Sequence, residues 1–415
     1  MKAAARGLLV AAALAATPAC APTHAAGGPA VAEAKPEPSA AATPVAPAPP
    51  FGTAWKFSMR HFELFPFASI EWASPVVADG TVFAASARGE AIYALDARSG
   101  AEKWSFRAHG RVEATPAVGA GRVYVATGKG TLFGLMADGG AELWHVDLAG
   151  ISTSRLLFDV SEGSERVVVP TGDNKVHCID ARTGAELWVY RREPPSDLTV
   201  WGTGSPSKAS VAGADAYVLG FSDGSVVAIK ASNGVPLWEQ RLVAAGRFRD
   251  IDGAVAVDGN RVYVTAYNDN LYALDRDSGR VVWSAPPGGG TGVAVGADKL
   301  FHGTDNGDLL ARDPSDGHEL WRWHLPAGVP TTPVVAGDFV YVASSSKSFY
   351  AVRADNGTLA WTFTPDYRVA GAWAAPAVDA RHVYFVSNAG IVYAFGPQGA
   401  GTVYIGTWDS GVGRH

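Results

Sequence analysis

Ser74-Pro75-Val76-Val77, Asp79-Gly80, Val82-Phe83-Ala84-Ala85, Gly89, Ile92-Tyr93-Ala94-Leu95-Asp96, Ser99-Gly100 and Trp104 follow one another in a single stretch of the chain. The apolar runs have the length of strands, and the breaks between them carry Gly and Asp, residues that supply turns. The stretch reads as strand, turn, strand, turn, strand, turn, strand. Its closing tryptophan recurs at Trp144, Trp188, Trp238, Trp283, Trp321 and Trp361, at successive intervals of 40, 44, 50, 45, 38 and 40 residues. Four short strands repeating every roughly 40–45 residues are the pattern of a β-propeller, so the fold expected is all-β with four-stranded antiparallel blades.

Two defects in the repeat complement each other. Trp55 stands 49 residues before Trp104 and belongs to no complete unit of its own. The last unit runs from Ala375-Pro376-Ala377-Val378 through Val383-Tyr384-Phe385-Val386 to Ile391-Val392-Tyr393-Ala394-Phe395 and lacks its tryptophan strand. The strand around Ala54-Trp55-Lys56-Phe57 is therefore expected to complete the final blade, close the ring and remove its open edges. Eight tryptophan positions then give eight blades. Asp96, Asp180, Asp275 and Asp313 each stand four residues before a glycine, Gly100, Gly184, Gly279 and Gly317. Such an Asp bonds the backbone at a turn entry, and the Gly accepts positive φ at its exit. The tryptophan that follows is expected to pack between neighbouring blades.

Outward from the repeat, the N-terminus has a different character. Met1-Lys2 and Arg6 precede an apolar run from Gly7 to Ala16, long enough for a secretory signal and too short to span a membrane. The run ends at Thr17-Pro18-Ala19-Cys20, which makes Cys20 a candidate for lipidation; ordinary cleavage after Ala21 or Ala25 is the alternative. Residues 21–50 are mostly Ala and Pro and read as a flexible tether, because they have almost no large apolar side chains to bury. The expected division is thus a signal segment over 1–20, a tether over 21–50, the propeller over 51–396 and a tail over 397–415.

The composition narrows function. The 415 residues carry a net charge of −6, which offers no basic footprint for nucleic acid, and 2 Cys, too few for a disulfide scaffold. No second apolar run of about 18 residues appears, so any membrane attachment is expected through a lipid anchor. No Gly-x-Ser-x-Gly elbow, phosphate-binding loop or His/Cys set with metal-ligand spacing occurs. His318 and His324 flank Trp321 and read as loop and strand-surface residues. Cys178, beside apolar Ile179 on a strand, reads as an inert buried thiol. No catalytic residue, cofactor or metal is expected.

Two connections between blades break the repeat. One runs through Tyr190-Arg191-Arg192-Glu193-Pro194-Pro195-Ser196-Asp197-Leu198-Thr199-Val200-Trp201-Gly202. The other spans residues 242–253 and contains Arg247-Phe248-Arg249-Asp250-Ile251-Asp252. In a propeller such connections emerge on one face, and these two are adjacent, so they are expected to form a continuous patch on a rigid scaffold.

The repeats over about residues 52–396 resemble the PQQ-like quinoprotein propellers. The segments Arg249-Asp250-Ile251-Asp252, Val262-Tyr263-Val264-Thr265-Ala266-Tyr267-Asn268-Asp269-Asn270-Leu271-Tyr272-Ala273-Leu274-Asp275 and Thr53-Ala54-Trp55 resemble the BamB family, lipoproteins of the outer-membrane β-barrel assembly machine. The resemblance implies a periplasm-facing, outer-membrane-anchored scaffold that docks the periplasmic domains of a BamA-like protein and helps incoming unfolded barrel proteins. It assigns partner binding to Leu198, Val200 and Trp201, with Gly202 matching the end of the family's segment, and to Asp250 and Asp252. Trp201 stands where the family has Arg, which removes a planar cation but leaves a side chain able to anchor by burial.

Other readings stay open. Asp250 and Asp252 also suit a turn cap before the strand near Ala254, and Leu198 and Val200 a small core beneath their loop. A quinoprotein-type dehydrogenase is the enzymatic alternative, although this chain lacks that group's adjacent cysteine pair and its insertions. A propeller binding another envelope protein or a glycan is the third.

Overall fold

The computed structural model describes residues 47–59, 70–193, 203–243, 250–251, 253–267, 269–365, 371–397 and the backbone of 403–405. The signal segment 1–20, with Cys20, and residues 21–46 of the expected tether lie outside the described residues. The chain forms eight sheets. In chain order the first seven blades cover residues 76–107, 117–147, 157–191, 207–241, 256–285, 294–324 and 334–363. The eighth combines residues 377–397 with the N-terminal strand Phe51–Ser58. Innermost strands of neighbouring blades approach one another, that of blade 8 approaches that of blade 1, and blades 3 and 4 are joined by Arg155 N donating to Ser205 Oγ, so the ring is closed.

The strand sequences explain their places. The two middle strands of a blade are covered on both faces by neighbouring blades, so Val82-Phe83-Ala84-Ala85 and Ile92-Tyr93-Ala94-Leu95 are continuous apolar runs, all buried. The outermost strand is covered on one face only. Glu102–Arg107 accordingly alternates, with Trp104 and Phe106 turned inward.

Each closing tryptophan is a joint to the next blade. Trp104 Nε1 donates to Ala137 O at 2.9 Å, Trp144 to Ala181 O at 3.3 Å and Trp188 to Ala231 O at 2.9 Å. The turn glycine of that next blade lies flat on the indole: a Cβ on Gly184 would stand 2.7 Å from Trp144, at φ +76°. Within the same turn, Asp180 Oδ1 accepts from the N–H groups of Arg182 and Thr183 and from Thr183 Oγ1. The expected Asp and Gly roles are therefore both present.

The sequence did not announce the bulge that aims these tryptophans. In blade 3, Trp188 pairs with Cys178 and Glu186 with Ile179, leaving Leu187 extra. The same irregularity precedes the tryptophan in every blade, blade 8 included. A bulge rotates the strand locally. Here it turns the indole toward the neighbouring blade and leaves an exposed aliphatic such as Leu143, Leu187 or Leu237 on the rim.

Closure at the N-terminal strand follows the same rule. Trp55 pairs with Ala394, is 1% exposed, and donates Nε1 to Ala97 O at 3.1 Å. On the other side Trp361 Nε1 donates to Phe51 O at 3.3 Å. Two boundaries differ from expectation. Pro47, placed in the tether, is buried and its carbonyl accepts from Tyr341 Oη at 3.1 Å, so packing begins before residue 51. In the expected tail, Val403–Ile405 pairs in parallel with Trp55-Lys56-Phe57, which makes blade 8 five-stranded rather than four-stranded.

Candidate functional site

Strand alternation divides the turns between two faces. Turns joining first to second and third to fourth strands lie together on the turn face, where Ala97 N donates to Gly80 O at 3.0 Å. Turns joining second to third strands share the connection face with the blade-to-blade segments, where Leu148 N donates to Gly130 O at 2.8 Å. The two connections singled out in the sequence, from blade 3 to 4 and from blade 4 to 5, both leave on the connection face; the segment from the N-terminal strand into blade 1, residues 59–75, is longer than either.

They converge on one turn of blade 4, residues 221–224. Arg192, at the start of the first connection, donates Nε to Asp223 Oδ2 at 2.7 Å and Nη2 to Glu239 Oε1 at 2.6 Å. Its guanidinium also lies 5.5 Å from the centroid of the Phe221 ring. Held between two carboxylates, its pKa is raised above the ordinary arginine value, and the Glu239 carboxyl is lowered chiefly by its hydrogen bond to Arg192. The second connection begins with Leu242 N donating to Gly224 O at 2.8 Å and ends with Ile251 N donating to Phe221 O at 3.3 Å. Ile251 is fully buried against Gly220, where an added Cβ would stand 2.2 Å from the Ile251 carbonyl oxygen. Phe221 and Asp223 thus clamp both connections.

Asp250 is 1% exposed, and its carbonyl accepts from Tyr267 N at 3.3 Å. A carboxylate this enclosed offers a partner almost no surface. The structural reading of Asp250, as a brace within the connection, therefore fits better than a direct contact. Leu198, Val200, Trp201, Gly202 and Asp252 lie outside the described residues. Arg192 was missed as a candidate because Arg191 beside it looks the same in sequence; only the fold separates the strand-end residue from the clamp. A second missed feature is the ring pair Trp72 and Trp373, centroids 5.1 Å apart, in the connections entering blades 1 and 8.

Other candidate chemistry resolves into structure. Cys178 is a free, buried thiol whose pKa burial pushes up to about 12, the opposite of an activated thiolate. Asp313, Asp316 and His318 bring ligand atoms within 4.8 Å of one another, the one such metal-sized grouping among the described residues. Asp313 Oδ1, however, accepts from the Ser315 N–H and hydroxyl, and Asp316 from His318, which is ordinary turn capping. His324 is an exposed strand residue paired with Asp308 at 2.8 Å. No helix among the described residues is long and apolar enough to cross a membrane.

The fold is in class an eight-bladed propeller of PQQ-like repeats, closed through its N-terminal strand. The family described as outer membrane protein assembly factor BamB matches residues 52–162, 92–289 and 268–402. The chain is 33% identical to the BamB assembly factor of Salmonella typhimurium over 300 residues, 68% of this chain and 74% of that protein. It belongs to the BamB family of outer membrane protein assembly factors, which are not enzymes. In structure it resembles BamB from Moraxella catarrhalis with a TM-score of 0.69 and 22% identity, covering 79% of this chain and 97% of that one. It also resembles the quinohemoprotein alcohol dehydrogenase of Comamonas testosteroni, at 0.66 and 16%, covering 83% and 76%. At these identities the two structural likenesses speak for fold, so the dehydrogenase alternative rests on fold alone.

Proposed function

We propose that this propeller assists outer-membrane protein assembly by docking the periplasmic domains of a BamA-like protein on the connection face of blades 3 to 5. The observation that carries this reading is the convergence of both extended connections on the turn at 221–224. A rigid turn holding two variable loops is how a propeller presents a recognition surface. Leu198, Val200 and Trp201 would supply apolar contact, and Asp252 polar orientation. Asp250 would hold the second loop in shape from beneath, and Arg192 would do the same for the first. Incoming unfolded barrel proteins would be brought close by the docked partner. Cys20 would carry the lipid that keeps the scaffold at the periplasmic side of the outer membrane.

Pull-down of the partner's periplasmic domains tests the docking. Trp201→Ala is expected to weaken capture about thirtyfold, corresponding to an anchor worth about 2 kcal/mol. Asp252→Ala is expected to weaken it less, and in a salt-dependent way. Full-strength capture by a folded Trp201→Ala, Asp252→Ala double variant would remove this face from consideration. Cys20→Ser is expected to release the protein from membranes; continued membrane association with incorporated lipid would refute the anchor.

A further inference from the structure

The axial channel holds a feature that the docking role leaves unused. At the inner end of several blades, one backbone N–H donates to a hydroxyl at the matching position of the next blade. Ala375 N donates to Ser74 Oγ at 2.9 Å, and Ser74 N to Thr115 Oγ1 at 2.9 Å. Gly292 N donates to Thr332 Oγ1 at 3.0 Å. Arg155 N makes the same bond, to Ser205 Oγ at 3.2 Å. Arg155 therefore occupies a ring position held elsewhere by Ser, Thr, Gly or Ala.

Its surroundings are unusual for a cation. Leu156, the next residue, is tied by its N–H to Thr115 O of the preceding blade at 3.0 Å, so this backbone is wedged between blades 2 and 4 at the axis. The Arg155 side chain is nonetheless exposed. It makes no hydrogen bond or ion pair among the described residues. Its pKa is lowered, with desolvation by the surrounding protein as the cause. Its backbone is fixed at the inner end of blade 3, beside the central channel of the ring, where the matching positions of the other blades carry only small side chains. Arginine stays charged in proteins, and its planar fork matches the oxygens of carboxylates and phosphates. The Ser205 hydroxyl, having accepted the Arg155 N–H, keeps its own hydrogen to donate.

We propose that the axial channel binds an oxyanionic group, a carboxylate or phosphate, against the Arg155 guanidinium with Ser205 Oγ beside it. Ser205 follows the first connection, and its neighbour Gly204 packs against the Ile251 carbonyl, so the site borders the proposed docking face; its test uses no docking partner, so the two readings fail separately.

Thermal melting of the full chain at fixed ionic strength provides the test. The probes are inorganic phosphate, acetate, and a short peptide with a free C-terminal carboxylate beside its C-terminal amide. Wild type is expected to melt about 2 °C or more higher with at least one oxyanion, because a ligand bound only by the folded state raises Tm. Arg155→Ser, which installs the ring's own residue type, is expected to fold and lose that shift. Arg155→Gln serves as a second variant should Ser disturb the ring. Response to phosphate alone assigns a phosphate ligand. Response to the free-carboxylate peptide and not the amide assigns a chain terminus, and response to acetate a simple carboxylate. No shift with any probe in wild type, or an equal shift in both variants, overturns the site.

Discussion

On the turn face, Trp104, Trp144 and Trp188 each reach the next blade's turn by the same indole hydrogen bond, over a glycine that admits no side chain. On the connection face the blade-to-blade segments share a starting bond, an N–H to the carbonyl of the adjoining turn, as in Leu148 N to Gly130 O and Leu325 N to Gly307 O. Beyond that bond, the connections after blades 3 and 4 are held by individual contacts, such as Arg192 on Asp223 and Ile251 against Gly220. One face is constrained eight times by the same packing problem and cannot vary without opening the ring. The other is constrained only at its anchor points, so loop length and chemistry are free to serve a partner.

The largest expected effect tests the ring. Deleting residues 51–58 removes buried Trp55 and Phe57 and opens blade 8; a loss of about 5 kcal/mol or more is expected by chemical denaturation. An unchanged denaturation midpoint would mean that the N-terminal strand is dispensable. The turn face can be probed at two glycines of similar φ. Gly184→Val meets Trp144 and is expected to cost about 3 kcal/mol. Gly80→Ala, with nothing within 4 Å of the added Cβ, is expected to cost about 1 kcal/mol. Equal costs would show that backbone conformation, not the indole, governs these turns.

On the connection face, Arg192→Ala leaves Asp223 without its partner. A loss of about 2 kcal/mol in stability is expected, with the propeller otherwise intact. Weaker partner capture without such a loss would make Arg192 a contact residue rather than a clamp.

A further effect, a pH dependence, belongs to neither face. His302 is fully buried and accepts from Arg312 Nε at 3.1 Å; burial first, then the Arg312 charge, lowers its pKa to about 3. Because the folded pKa lies below the unfolded value, stability is complete above the unfolded pKa and falls as pH drops toward the folded one. This group should therefore cost about 1.4 kcal/mol by pH 5.5, one unit below the ordinary histidine value. Comparing denaturation of wild type and His302→Gln between pH 7.5 and 5.5 isolates it: the variant is expected to have the shallower decline.

The contrast between the faces also explains what could be read in advance. Blade number, strand order and closure at Trp55 were legible because each depends on a pattern repeated many times. The bulges at residues such as Leu187 were not, since an extra residue in one strand shows only once the strands are paired. The fifth strand at Val403–Ile405 belongs to no repeat, so the repeat pattern could not fix its place. On the connection face, strand alternation made legible that both connections leave the same side of the ring. Which side chain clamps them was not legible: Asp250 suited either partner binding or a turn cap, and its burial is a property of the assembled ring.

The central claim is that the connection face, not the turn face, meets the assembly partner. Site-specific photo-crosslinking in cells tests it directly, with the crosslinker placed at Leu242 beside the clamp and, for comparison, at Val235 on the turn face of the same blade. A crosslink to the BamA-like protein from position 242 and none from 235 is the predicted result. A crosslink from 235 with none from 242 would contradict the account.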